Sequence, residues 1–309
     1  MSAAPDVSVV VPTYQRGALL GASLESLLRQ EDVAFEVVVV DDGSTDGTAA
    51  LLAAHPDPRV RPVIRPHGGI AAARNAGVAE ARAPLVAFHD SDDAALPGRL
   101  SVPVAYMRAH PDVDIVIQNG VMLPAEDDAA GEEAPWIAPA VARTLTDRPL
   151  GFADVFRWNL GQLQGMCFTR RALARAGPFD PSFRILDDLD IVLRASLAGP
   201  AVFLDVPAFA YRRHAAGISR DRATVREEAV RLADKIAREH PEVLALVGPA
   251  TFARRQAKRW ARLASARAAA GDAAGARAAI AEARALRPGS LAYHLRALWL
   301  ALRARAHAS

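Results

Sequence analysis

Three aspartates follow a short apolar segment in the first third of the chain. Residues 84–88 have the length and composition of a buried strand, and Asp90, Asp92 and Asp93 come directly after it. A buried strand has no place for so many carboxylates, because an unpaired carboxylate is costly to remove from water. We therefore expect the aspartates at the exposed carboxyl end of the strand, the edge at which open α/β sheets bind ligands.

The spacing of Asp90 and Asp92 suggests what these side chains could bind. Two carboxylates separated by one residue can hold a hard divalent cation such as Mg²⁺ or Mn²⁺, and the cation can hold a diphosphate. A solvated acidic turn would contain the same residues. The cluster alone leaves both interpretations open.

Strand and helix patterns alternate through the first hundred residues. Strands are predicted at residues 7–11, 35–40, 60–64 and 84–88, and helices at 18–29, 48–54 and 70–81. Alternation at this spacing predicts a parallel sheet with right-handed crossovers. The strands lack polar alternation, as expected when both faces are covered. The sequence therefore predicts an α/β fold with a mostly parallel central sheet.

The middle of the chain is less regular. We expect a helix at residues 97–109, a short strand at 114–117 and a mobile loop at 124–148, which is rich in Pro, Ala, Asp and Glu. A second acidic cluster, Asp187-Asp188-Leu189-Asp190, leads into a helix that continues to residue 197.

The composition excludes several classes of protein. The chain has 309 residues, of which 51% are apolar and 23% charged, as in globular proteins. Cys167 is the only cysteine, so no intramolecular disulfide forms, and a reducing compartment such as the cytoplasm is expected. Residues 1–6 show no signal-peptide pattern, and no apolar run reaches the roughly 20 residues of a membrane span. Neither a Gly-x-Gly-x-x-Gly nor a P-loop motif follows the first strand.

Five separated motifs, taken in order, resemble the family 2 glycosyltransferases. They are Val-Ser-Val-Val-Val-Pro-Thr-Tyr at 7–14, Val-Asp-Asp-Gly-Ser-Thr-Asp at 40–46, Ala-Arg-Asn-Ala-Gly at 73–77, His-Asp-Ser-Asp-Asp at 89–93, and Gly-Pro-Phe-Asp at 177–180 followed by the second acidic cluster. The resemblance covers residues 7–219. It implies a GT-A fold, a nucleotide-diphosphate sugar as donor and transfer with inversion.

The resemblance also implies roles for individual residues. Asp188 matches the catalytic base, and Asp92 the metal ligand, with Asp90 and His214 as further candidates. The family usually has Glu where this chain has Asp187, and this shorter side chain could alter contacts with the acceptor. Trp158 and Gln164 are further candidates for contacts with the acceptor. The donor-binding positions are Pro12, Thr13, Tyr14, Arg16, Asp41, Arg74, Asp90 and Ser91.

The chemistry of glycosyl transfer is consistent with these roles. The leaving diphosphate gains charge that Mg²⁺ or Mn²⁺ can stabilise, and the acceptor hydroxyl loses a proton that a carboxylate can take. The expected donor is of the UDP or dTDP type, the acceptor a saccharide or a lipid-linked saccharide, and the pathway bacterial surface polysaccharide or glycoconjugate synthesis. A nucleotidyltransferase is disfavoured, because its glycine-rich basic loop is missing. A catalytically silent sugar-nucleotide binder or scaffold that acts through its helical tail is the remaining alternative.

Residues 220–309 form a basic, helical extension to the predicted catalytic domain at 1–219. They contain 18 Lys+Arg and 8 Asp+Glu, against 19 and 27 in residues 1–219. Residues 260–288 partly follow the spacing of a tetratricopeptide-like hairpin. We expect no nucleic-acid partner. The extension could contact the inner face of a membrane or a protein, pack on the catalytic domain, or present a solvated face.

Overall fold

The computed structural model describes residues 4–124, 132–212 and 221–306 of the chain. The chain divides into two compact units, residues 1–216 and 217–309. The strands of the first unit are β1 (Val7–Thr13), β2 (Phe35–Asp41), β3 (Val60–Ile64), β4 (Leu85–Phe88), β5 (Ala94–Ala95), β6 (Ile115–Leu123), β7 (Ala134–Pro135), β8 (Met166–Thr169) and β9 (Ala201–Arg212).

Eight helices accompany these strands in the described part of the first unit. They are α1 (Gly17–Leu28), α2 (Thr48–Ala53), α3 (Ile70–Glu80), α4 (Ser101–Ala109), α5 (Pro139–Leu145), α6 (Phe152–Trp158), α7 (Arg170–Ala176) and α8 (Asp187–Ala198). A single 3₁₀ turn at Leu163–Gly165 precedes β8.

The strands form one mixed sheet in the order β3-β2-β1-β4-β8-β6-β9-β5, with β7 paired to β6. The pairs β1–β2, β2–β3 and β1–β4 are parallel, as the alternating pattern predicts. The strand β8 runs antiparallel to both of its neighbours, β4 and β6, while β6 and β9 are parallel. The predicted α/β fold is confirmed, with its parallel part concentrated in the first four strands.

Every residue of β1 and β2 is buried, because helices cover both faces of the sheet. On one face, Val9 and Val37 belong to the same apolar cluster as Leu24 of α1. On the other face, Val38 packs with Ala73 of α3. These strands are therefore apolar at successive positions instead of alternating with polar residues.

A glycine sets the distance between α3 and the sheet. A Cβ at Gly77 would overlap the Cγ1 atom of Val10 and lie 3.2 Å from the Cγ2 atom of Val40. A larger residue would push α3 away from the strands. The same helix carries Arg74 and Asn75, so the close approach of α3 also sets their distance from the sheet.

The structure corrects several predicted elements of the middle region. The segment at 124–148, predicted as a loop, contains β7 and α5, although residues 125–131 lie outside the described part. The strand predicted at 114–117 extends to Leu123 as β6. The helix predicted at 97–109 begins at Ser101, after Gly98 in a left-handed conformation (φ 80°). Short elements of this kind are stabilised by tertiary pairing and leave little periodic signal.

The second unit is helical throughout its described residues. Its helices are α9 (Arg222–Glu239), α10 (Val243–Val247), α11 (Pro249–Ala269), α12 (Ala273–Leu286) and α13 (Leu291–Ala306). The core between α11 and α12 consists largely of alanine, with Leu263 and Ile280 as its larger members. Within the described residues, no helix is both long and apolar enough to cross a bilayer.

Candidate functional site

The carboxyl ends of β1, β2 and β4 meet at one edge of the sheet. Thr13 lies opposite Asp41 in the register of β1 and β2, and Val10 lies opposite Phe88 in the register of β1 and β4. The backbone N–H of His89 continues the second pairing by donating to the carbonyl of Val10 at 3.0 Å. Three of the sequence motifs therefore converge here, as expected for a ligand site in a parallel sheet.

Asp41 ends β2, and one of its two carboxylate oxygens has no hydrogen-bond partner in the described structure. Its side chain is fully buried, and Oδ1 accepts a hydrogen bond from the backbone N–H of Ser44 at 3.0 Å. Within the described structure, Oδ2 has no hydrogen-bond partner, and neither has the buried Oγ1 of Thr13. Buried polar atoms are nearly always paired, so a ligand with hydrogen-bond donors suits this position.

An exposed aromatic pair lies just beyond β1 and before α3. Tyr14, just after β1, stacks on His67 with 4.1 Å between the ring centroids and an interplanar angle of 23°. The Tyr14 ring is 42% exposed, so it is available to a planar ligand. The sequence assigned Tyr14 to the nucleoside but gave no role to His67. The signal for His67 was its place directly before the Gly68-Gly69 pair that opens α3.

Asp42 holds the loop that carries His67. Its buried carboxylate accepts hydrogen bonds from the backbone N–H groups of Gly68 and Gly69, at 3.1 and 2.7 Å, and from the guanidinium of Arg65. The Nδ1 atom of His67 lies 2.8 Å from its Oδ2 atom. Asp42 therefore anchors the β3–α3 loop and is not directed at a ligand, whereas its neighbour Asp41 keeps an oxygen available.

Arg74 joins the two acidic clusters. It is 4% exposed; Nη1 donates to Asp187 Oδ2 at 2.8 Å and Nη2 to Asp90 Oδ1 at 3.2 Å. Burial lowers the pKa of the Arg74 guanidinium, but the carboxylates of Asp187, Asp90 and Asp188 outweigh it and raise that pKa. The guanidinium thus stays charged. It links Asp90, just after β4, to Asp187 at the start of α8.

The carboxylates at the start of α8 have raised pKa values. Asp187 is 1% exposed and faces Arg74, not an open surface where an acceptor contact would be expected. Burial raises the pKa of Asp187, with the Arg74 guanidinium opposing the shift. Asp188 is half-buried, and its pKa is raised because it is withdrawn from solvent and lies beside Asp187. A carboxyl group with a raised pKa is suited to accept a proton near neutral pH.

The loop after β4 places its carboxylates near other charged or polar groups. Asp92 Oδ2 lies 3.7 Å from Arg16 Nε, and both side chains are partly exposed. The buried Asp93 accepts a hydrogen bond from Nε2 of Gln164 at 3.3 Å, so Gln164 lies beside this cluster. Ser91 is buried.

The cation site predicted from Asp90 and Asp92 can be tested for chemical fit. The described residues contain no group of three His, Cys, Asp or Glu side chains that could hold a metal ion. Two hard carboxylates nevertheless suit Mg²⁺ or Mn²⁺, because such ions commonly complete their coordination with substrate phosphates and water. His214, the third candidate ligand, lies outside the described residues.

Side-chain clamps hold the 177–180 motif against α3. The Nδ2 atom of Asn75 donates to the carbonyl of Phe179 at 2.9 Å, and its Oδ1 atom accepts from the N–H of Phe179 at 2.8 Å. The ring of Phe179 lies 5.8 Å from the guanidinium carbon of Arg74. Arg194 of α8 bonds the carbonyl of Pro178 at 2.9 Å and pairs with Asp190. These contacts align α3 with the start of α8.

Trp158, predicted near the acceptor, lies at the end of α6. It is partly buried, with the Arg157 guanidinium carbon 5.2 Å from its ring centroid. Helix α6, which ends at Trp158, packs against α8, the helix that begins at Asp187. Pro12 is buried within β1.

Comparisons with known proteins bear on the family and the fold. Residues 8–159 match the profile of the family described as glycosyl transferase family 2. Over 97 residues the chain is 50% identical to the succinoglycan biosynthesis protein ExoO of Rhizobium meliloti (strain 1021). That match covers 31% of this chain and 28% of the relative, so the chain spans less than a third of that protein's length.

Two solved structures share the fold. The crystal structure of S. aureus TarS 1–349 in complex with UDP-GlcNAc has a TM-score of 0.66 at 18% identity, covering 91% of this chain and 83% of that one. The mannosyltransferase PcManGT from Pyrobaculum calidifontis, in complex with GDP-Man and Mn²⁺, has a TM-score of 0.59 at 22% identity, covering 96% and 84%. With the motifs gathered at one edge of such a sheet, residues 8–159 belong to glycosyl transferase family 2, and the chain has the GT-A fold.

Proposed function

We propose that this glycosyltransferase moves a sugar from a nucleotide diphosphate to an acceptor hydroxyl in a single displacement that inverts the anomeric carbon. The observation that carries the proposal is the shared guanidinium of Arg74, which pairs with Asp90 at 3.2 Å and with Asp187 at 2.8 Å. Through it, a cluster suited to a diphosphate and a cluster suited to base catalysis stand side by side.

The donor would bind across the carboxyl ends of β1, β2 and β4. Asp41 Oδ2 is available to the base, and the exposed ring of Tyr14 can lie against it. A base with an N–H group beside a carbonyl, as in uridine or thymidine, suits an acceptor atom of this kind. Arg74 would lie near the phosphates or the ribose, with Pro12, Thr13, Arg16 and Ser91 completing the donor pocket.

Asp92, with Asp90, would hold a divalent cation, Mg²⁺ or Mn²⁺. When bound, the cation would neutralise charge that develops on the leaving diphosphate. The complex of PcManGT with Mn²⁺ supports cation use in this fold. Arg74 and Arg16, which pair with these carboxylates, would bind phosphate oxygens as well.

Asp188 would act as the general base. Its carboxylate takes the proton of the acceptor hydroxyl while the acceptor oxygen bonds to the anomeric carbon and the bond to the diphosphate breaks. Its raised pKa favours proton uptake. The acceptor would be a saccharide or a lipid-linked saccharide, bound near Trp158 and Gln164. Synthesis of a bacterial surface polysaccharide or glycoconjugate is supported by the name of the Rhizobium relative.

We also propose that residues 1–219 are the catalytic domain, residues 220–309 a helical extension, and the cytoplasm, at the inner face of the membrane, the site of action. The free buried thiol of Cys167 supports a reducing compartment.

Two substitutions, one in α8 and one in the loop before it, test the mechanism. Asp188→Asn should abolish transfer, with a loss of about 10²–10⁴-fold, and leave donor binding unchanged. Asp180→Asn, an acidic residue of the neighbouring loop, is the matched control and should retain most activity. Unchanged turnover in Asp188→Asn would remove the base assignment.

Calorimetry addresses the donor site separately. UDP-sugars and dTDP-sugars are titrated into the protein with Mn²⁺ or Mg²⁺, and Asp41→Ala should weaken binding. If no nucleotide-diphosphate sugar binds with either cation, the alternative of a scaffold acting through the helical tail gains the advantage.

A further inference from the structure

Helix α13 presents two apolar faces, of which one packs in the second unit. Tyr293, Ala297 and Leu300 face the core that α12 shares with α11. On the other side, four large apolar residues are at least half exposed. They are Leu291 (71%), Leu295 (57%), Leu298 (58%) and Trp299 (50%).

These four residues form a continuous stripe. Positions i, i+4, i+7 and i+8 fall on one face of an α-helix, which has about 3.6 residues per turn. Leu302 continues the same spacing in the sequence. We call Leu291, Leu295, Leu298 and Trp299 the α13 stripe. An exposed apolar stripe of this length marks an interaction surface.

The net positive charge of the second unit indicates what the stripe contacts. Residues 243–306 contain 12 Lys+Arg and 2 Asp+Glu, and α11 contains six basic residues and no acidic one. Arg296 lies in α13 itself and is exposed. Burying the stripe against a second copy would bring two strongly basic units together, which like-charge repulsion disfavours. An anionic surface is attracted instead.

A basic pocket lies at the start of the stripe. An open cavity of about 460 Å³ is lined by Arg254 and Arg287 together with Leu286 and Pro288, just before Leu291. Two guanidinium groups beside apolar carbon suit a phosphate carried on a lipid. A free, fully hydrated anion would gain nothing from the adjacent stripe.

We propose that α13 lies on an anionic lipid surface, with the α13 stripe inserted at the boundary between headgroups and acyl chains. Arg296 and other basic residues of the second unit contact lipid phosphates. Apolar residues on one side of a helix and basic residues around them are the features of helices that bind in the plane of a membrane. This surface is separate from the residues proposed for transfer, and it would keep the enzyme where lipid-linked acceptors are.

Vesicle co-sedimentation of the full chain tests the proposal. We expect binding to phosphatidylcholine vesicles that contain about 30% phosphatidylserine, little binding without the anionic lipid, and release in about 0.5 M NaCl. Leu298→Gln should weaken vesicle binding about tenfold, because it removes an inserted apolar side chain. Glutamine retains the helix propensity of leucine, so α13 should remain folded.

Leu246→Gln is the matched control. Leu246 is 55% exposed in α10, outside the α13 stripe, so its substitution should leave vesicle binding unchanged. Donor binding, measured by calorimetry, should be the same in both variants, which separates this proposal from the proposed transfer reaction. Circular dichroism checks that both variants are folded, and Leu295→Gln provides a second stripe variant.

Three outcomes would overturn the proposal. The wild-type protein could fail to bind anionic vesicles, or Leu298→Gln and Leu295→Gln could bind as well as Leu246→Gln does. The protein could also form concentration-dependent dimers that Leu298→Gln converts to monomers without vesicle binding by either form. In that case a second copy, and not a lipid surface, covers the stripe.

Discussion

Replacing Arg74 by methionine should reveal how much buried charge the site holds. The guanidinium is 4% exposed and pairs with Asp187, which is 1% exposed, at 2.8 Å. Methionine fills much of the space of the arginine side chain without its charge. The Arg74→Met variant therefore leaves the Asp187 carboxylate buried without its cation, next to Asp188.

The magnitude depends on pH. Removing one partner of a buried ion pair costs about 3–5 kcal/mol while the other stays charged. Burial raises the pKa of Asp187 even beside Arg74, and it should rise further in the variant. In the unfolded chain an aspartate has a pKa of about 3.9. Above about pH 4, the folded variant therefore holds a proton that the unfolded chain has lost.

The sign follows from this difference in bound protons. A raised pKa in the folded state stabilises at low pH, and this stabilisation is lost as the pH rises through the folded-state pKa. Each pH unit in that range lowers the free energy of unfolding by about 1.4 kcal/mol. Relative to wild type, we expect a loss of about 3–5 kcal/mol at about pH 7 and a smaller loss at about pH 5, where a protonated Asp187 needs no cation beside it.

Urea unfolding at both pH values, followed by circular dichroism, measures this loss. The control is the double variant Arg74→Met/Asp187→Asn, which removes both charges. It should recover most of the stability at neutral pH and lose the additional pH dependence. Equal destabilisation of Arg74→Met at both pH values would refute the reasoning, because the cost would then come from packing and not from the Asp187 charge.

Three further predictions concern residues of the first unit. Gly77→Ala should destabilise by about 1–3 kcal/mol in urea unfolding, because its Cβ meets a β1 side chain, whereas Gly21→Ala in α1, with open space around it, should be neutral or stabilising. Asn75→Ala should cost about 1–3 kcal/mol, because it leaves the N–H and carbonyl of Phe179 unpaired, and it should also lower the turnover measured in transfer assays. Burial raises the pKa of the Cys167 thiol to about 12, so a thiol reagent at pH 8 should modify it only after denaturation; fast labelling of the native protein would contradict this burial.

The parallel half of the fold is readable in the sequence because its signals are local and dense. β1 and β2 are apolar throughout, and helical patterns separate the strands, so alternation alone leads to a parallel sheet. The middle region gives weaker signals. β7 has two residues and α5 has seven, and elements this short leave little periodic signal, so the part of 124–148 that the structure describes was wrongly expected to be a loop.

Motif recognition likewise predicted candidate site residues but not their connections. The sequence by itself determined the family, the strand-end position of Asp41 and Asp90, and the acidic start of α8. Only the tertiary structure decided that Arg74 lies between Asp90 and Asp187, that Asp42 holds a loop while Asp41 keeps an oxygen available, and that α13 exposes a second apolar face. The physical reason is that hydrogen bonds, burial and charge act over distances of a few ångströms in space. Spacing along the chain determines which residues an element can present, and the packing of α3 and α8 on the sheet determines which of them meet.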